Sequence, residues 1–183
     1  MGDAGPANLV CNIILACGSV YAMEDSRNGW AWRDWRWVHL GYGSMLVNAG
    51  LGIWNYFAPG IDDAVKLSHG FRDQLFIGAY NCDLYGAVSP GWIRYLHLIP
   101  VIIPLMDNEP LAAAGMVFNL ISNYYFTFTR PTNTRYAAAV LATITVIMHF
   151  GKLPLDESIL AKDDVENILM AIFAIVSARA VRY

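Results

Sequence analysis

The chain of 183 residues is 56% hydrophobic and only 15% charged, with a formal net charge of -3. That balance is hard to reconcile with a water-soluble domain of this size, and without a basic block it gives no reason to expect a nucleic-acid partner. Three cysteines, Cys11, Cys17 and Cys82, all lie in apolar segments, and their odd number argues against a disulfide framework.

The first apolar run, Ala4 to Met23, carries no charge and is long enough to cross about 30 Å of hydrocarbon as a helix. It follows Met-Gly-Asp without a basic n-region, so it reads as a retained helix rather than a cleaved signal, and Met1-Gly2 lacks the hydroxyl residue that myristoylation needs. A polar loop from Glu24 to Arg36 comes next, holding Trp30, Trp32 and Trp35 among Arg33, Asp34 and Arg36, with Trp37 at its edge. Indoles and arginines interleaved in this way suit the headgroup level of a bilayer; a lid with Asp34 turned inward is the sharper alternative.

A second charge-free run spans Trp37 to Ile61, and a loop from Pro59 to Asp73 follows. The next span, Gln74 to Ser89, holds an aspartate in its middle, FIGAYNCDLYGAV. On a helical wheel Asp83 shares its face with Phe76, Ala79, Tyr80, Gly86, Ala87 and Pro90, a face rich in small residues and therefore expected to turn inward. An ionised carboxylate near mid-bilayer costs roughly 2.5 to 3.5 kcal/mol on insertion scales, so Asp83 is expected to be protonated or to share a proton, as a general acid would.

Trp92 to Met106 forms a further span with Pro100 and Pro104 one helical turn apart. A kink is expected, with His97, Pro100, Pro104 and Asp107 on one α-helical face. Asp107-Asn108-Glu109 then reads as a solvated turn that caps the helix starting near Pro110, and the run Pro110 to Thr129 is again free of charge. Tyr136 to Phe150 and Val165 to about Val181 complete the set, separated by a polar loop from Gly151 to Asp164.

The expected fold is therefore all-α: one membrane domain over residues 1–183, a polytopic bundle of about seven transmembrane helices with short loops, or six if the last helix lies on the surface. Arg27, Arg33, Arg36, Arg94, Arg130, Arg135, Arg179 and Arg182 fall at one face and Lys66, Arg72, Lys152 and Lys162 at the other. This bias places the N-terminus outside or in a lumen and the C-terminus in the cytosol. Three stripes of small or polar residues are expected to face the interior: Gly41, Ser44, Asn48, Gly52 and Asn55; Gly115, Asn119 and Ser122; and Ala138, Ala142, Thr145 and His149.

No dinucleotide, phosphate-loop, nucleophile-elbow or zinc-protease signature occurs. His39, His69, His97 and His149 show no metal-ligand spacing, so neither a metal nor another cofactor is expected. What remains is an acid among aromatic rings, which can shield a developing cation. The favoured expectation is an enzyme performing acid-base chemistry, such as cyclisation, isomerisation or epoxide opening, on a lipophilic small molecule taken from the lipid bilayer. Asp83, His97, Asp34 and Glu24 are the catalytic candidates, and Tyr80, Tyr85, Asn48, Trp54, Asn119, Asn123 and Tyr124 the substrate-binding ones. A small channel or transporter with a polar path past Asp83 is one alternative, and a non-catalytic subunit of a membrane complex, or of a homo-oligomer, is another.

Overall fold

The computed structural model describes residues 5–26, 35–87, 90–151 and 161–181, and within these it is all-helical. Helix α1 is Pro6–Asp25, α2 Val38–Phe57, α3 Asp62–Leu84, α4 Glu109–Thr129, α5 Asn133–Phe150 and α6 Lys162–Ala180. A 3-10 helix, Ile93–Met106, stands between α3 and α4, and a short 3-10 turn, Tyr85–Ala87, ends α3. With the short turn set aside, seven helices are seen among the described residues, the number the apolar runs suggest.

Each α-helix packs on its neighbour in the chain and α6 returns to α1, so the six form a closed ring; the 3-10 helix lies against α3 and α4. The ends are set by local chemistry. Pro6 opens α1, where a missing N–H costs nothing. Asn108 accepts from the Leu111 amide at 3.0 Å to start α4, and Thr132 accepts from the Arg135 amide at 3.2 Å to start α5. The three small-residue stripes all turn inward or sit half-buried, and closeness is their use: a Cβ on Gly115 would lie 2.8 Å from Cβ of Pro100, which lets α4 and the 3-10 helix meet.

Two expectations are corrected. Helix α3 starts at Asp62 rather than Gln74, so the segment expected as a loop from Pro59 to Asp73 is mostly helix. Asp62 and Asp63 favour its positive N-terminal end, and the charges of Arg72 and Asp73 do not interrupt it because they answer one another inside the bundle. The proline-bearing segment is not a kinked α-helix but a 3-10 helix of 14 residues. Its burial repeats every three residues, as eclipsed 3-10 side chains require: His97, Pro100 and Ile103 are buried while Ile99, Ile102 and Leu105 are exposed. Pro104 is consequently only half-buried, and Asp107 is exposed in a left-handed conformation with φ 45°.

The 3-10 winding leaves one carbonyl without its usual donor. In an i to i+3 pattern the His97 carbonyl would accept from residue 100, which is proline and has no N–H. Asn119 of α4 supplies the donor instead, through its Nδ2 at 3.2 Å. Gly78 of α3 makes the approach possible, since a Cβ there would stand 2.5 Å from the same carbonyl oxygen.

Polarity is distributed inside out. Arg72 is 0% exposed, Glu166 1% and Asp73 4%, whereas Ile13, Val47, Ile121, Phe128, Val140 and Ile144 are exposed on the outer faces of their helices. Among the described residues one helix, Pro6–Asp25, is by itself long and apolar enough to cross a membrane; Ile93–Met106 is apolar but shorter.

Candidate functional site

The charged interior is built on Arg72, midway along α3. Its Nε and Nη2 donate to Asp73 Oδ1 at 3.0 and 2.8 Å, and its Nη1 donates to Asn48 Oδ1 of α2 at 3.0 Å and Asn167 Oδ1 of α6 at 2.6 Å. Nη2 also faces Glu166 Oε2 of α6 at 3.6 Å. A rigid guanidinium fork can hold this many acceptors at once, which a lysine could not. The asparagines are held in turn: Asn48 donates to Ser68 at 2.9 Å, and Asn167 donates to Asn12 of α1 at 3.3 Å. Four helices therefore converge on one buried cation.

His149, near the end of α5, completes the cluster. Its Nδ1 lies 3.5 Å from Asp73 Oδ2 and 3.4 Å from Glu166 Oε2, and its side chain keeps 27% exposure. The other oxygen of Glu166, Oε1, is buried with no hydrogen-bond partner among the described residues. Two buried carboxylates thus face one arginine and one histidine, and burial makes that balance matter, because an unpaired charge in a low dielectric is costly.

A cavity of about 330 Å³ opens beside this cluster, between α3, the end of the 3-10 helix, the start of α4 and the end of α5. Asp73, Gln74 and His149 line its inner part, Ile103 and Pro104 contribute apolar wall, and the exposed Lys66, Asp107 and Glu109 line it toward solvent. Lys66 and Asp107 stand 4.0 Å apart there, an exposed pair that adds little to stability.

The residues singled out in the sequence lie in several places. Asp83 is half-buried and its two oxygens accept from the backbone amides of Trp37 at 3.1 Å and Val38 at 2.7 Å, so it caps α2 from the neighbouring helix. It does not line the cavity. His97, Asn119, Asn123 and Tyr85 do come together. His97 Nδ1 bonds Asn119 Oδ1 at 3.0 Å, Asn81 donates to the Asn119 carbonyl at 2.7 Å, Asn123 donates to Asn81 at 3.0 Å, and the Tyr85 ring lies 4.7 Å from that of His97. This network ties α3, α4 and the 3-10 helix together.

Asn48 belongs to the Arg72 cluster, whereas Tyr124 bonds Thr143 across α4 and α5 at 2.9 Å. Tyr80 is fully buried with a hydroxyl that has no partner among the described residues. Trp54 is 63% exposed and Glu24 is exposed as well, so neither joins a cluster; Asp34 lies outside the described residues.

Arg72, Asp73, His149 and Glu166 were not among the sequence candidates. The available signal was the continuation of helical periodicity upstream of Gln74, which would have moved Arg72 and Asp73 from a loop onto the same helix as Asp83. No protein-family model matches the chain, and no curated protein or solved structure matches it either.

Proposed function

We propose that the chain is a polytopic membrane protein and that it is an enzyme whose acid-base centre is the Asp73-His149-Glu166 cluster beside the cavity. The membrane reading draws on the apolar outer faces of the ring around a charged interior. It also draws on the 3-10 helix: 14 residues at about 2.0 Å each extend about 28 Å, close to the hydrocarbon thickness, where an α-helix of the same length would reach about 21 Å. Arg36, Arg94, Arg130 and Arg179 all lie at the end opposite the cavity, which supports a cytosolic C-terminus and a cavity facing the outside or a lumen.

The catalytic reading is carried by the position of His149 Nδ1, within 3.5 Å of two buried carboxylates while its ring borders the cavity. A histidine so placed moves a proton between a bound molecule and the carboxylates, and Arg72 fixes Asp73 Oδ1 at 2.8 Å so that Oδ2 faces the imidazole. The apolar wall beside an ionic inner end suits a lipophilic small molecule with one polar group. Cyclisation, isomerisation and epoxide opening remain the reactions of choice, now at Asp73 and His149 rather than at Asp83.

The test is an untargeted comparison by mass spectrometry of lipid extracts incubated with the protein in nanodiscs. Wild type is expected to generate an isobaric or hydrated product that His149→Ala and Asp73→Asn do not. A product formed equally by those variants would sink the Asp73-His149 centre, and no product together with proton flux through the protein in liposomes would favour transport and sink the enzyme.

A further inference from the structure

We propose that Asp73, His149 and Glu166 form a binding site for a divalent first-row transition-metal ion at the inner end of the cavity. One donor atom from each of the three lies within 4.8 Å of the others. The distances around His149 Nδ1, 3.5 Å to Asp73 Oδ2 and 3.4 Å to Glu166 Oε2, are long for hydrogen bonds. They equal the edge, about 3.4 Å, of a tetrahedron whose bonds are about 2.0 to 2.1 Å.

Two further observations point to a ligand rather than to an acidic cluster alone. Glu166 is 1% exposed, and its Oε1 has no hydrogen-bond partner among the described residues. Arg72 takes Asp73 Oδ1 through two donors, which holds the carboxylate with Oδ2 turned toward His149; this is how an outer partner orients a metal-binding oxygen. Arg72 offers one positive charge against the two carboxylates of Asp73 and Glu166, and a bound ion, in place of a proton on His149, would answer the second. Three protein donors and a neighbouring cavity leave a coordination position for water or substrate, the arrangement of a catalytic rather than a structural site.

One imidazole and two carboxylates fit Zn2+, Mn2+ or Fe2+; Ca2+ asks for six or more oxygens and Cu+ for sulfur. Glu166 is also within reach of His69 and Asp163, a partly exposed pair, and the experiment separates the two groups. The inference rests on the reading of this cluster as the functional site. With the ion bound, water on the ion would carry the proton instead of His149 Nδ1.

The chain, carrying a tag without histidine, would be purified in mild detergent, stripped with a chelator and titrated calorimetrically with Zn2+ and with Mn2+. One ion per chain is expected, with His149→Ala at least tenfold weaker and His69→Ala within threefold of wild type. Uptake of neither ion by stripped wild type, or equal affinity in His149→Ala, would overturn the site, as would a loss confined to His69→Ala. Should His149→Ala fail to stay monodisperse, Co2+ on wild type decides: a ligand-field spectrum distinct from aqueous Co2+ that saturates at one ion per chain supports the site, and a spectrum no different from aqueous Co2+ sinks it. Binding is read without substrate. Metal uptake without turnover would sink only the catalytic reading, and turnover by metal-free protein only the metal.

Discussion

Replacing Arg72 by methionine removes the one buried cation that touches Asp73, Asn48, Asn167 and Glu166 while keeping a long apolar stem in its place. Asp73 and Glu166 would then face each other across the gap with only His149 to answer them. Breaking a buried ionic group in this way costs about 3 to 5 kcal/mol, because an uncompensated charge stays behind. For a chain of this size about 2 to 4 °C of melting temperature accompany each kcal/mol, so Arg72→Met should melt about 6 to 20 °C below wild type in detergent. The same substitution combined with Asp73→Asn and Glu166→Gln removes the stranded charges and should recover at least half of the loss. A shift under about 3 °C for Arg72→Met, or a combined variant that is no better than the single one, would refute the account of a charge-balanced interior.

Asp83→Ala strips two backbone amides of their acceptor and should cost about 1 to 3 kcal/mol, read as a lower melting temperature, while the folded protein keeps its full metal affinity and turnover; lost turnover at wild-type stability would restore Asp83 as the catalytic acid. Gly78→Ala forces a Cβ to 2.5 Å from the His97 carbonyl and should destabilise by about 1 to 3 kcal/mol, whereas Gly50→Ala, with open space around it, should not lower stability. Asn119→Leu leaves the His97 carbonyl and its Nδ1 without their partners and should cost about 2 to 4 kcal/mol in the same assay. A membrane-spanning bundle should resist extraction by alkaline carbonate, and release of the chain into the supernatant would contradict it.

The number of helices and their inward faces were legible because long apolar runs and small-residue stripes are local signals, readable in a window of about twenty residues. The start of α3 was not. Arg72 and Asp73 look like loop residues until Glu166 and Asn167, far along the chain on α6, are seen to meet them. Pro100 and Pro104 marked a departure from regular α-helix, and the form it took depended on Asn119 and Gly78, which belong to other helices. His149 was visible as the end of an inward stripe, but its two carboxylate neighbours come from α3 and α6 and leave no local trace.

Asp73 and Asp83 lie on the same helix and differ in what remains available to them. At the start of α2 the first amides have no partner in their own helix, and Asp83 accepts from two of them, one on each oxygen. Amide donors and the positive end of the helix dipole answer its charge, and both oxygens are occupied. Asp73 has one oxygen fixed by Arg72 and the other turned toward a histidine that borders a cavity. A buried acid acts on a ligand most readily through an oxygen that its own fold leaves uncommitted. By that criterion the proposed chemistry falls to the upstream aspartate, and the central acid of FIGAYNCDLYGAV holds two helices together.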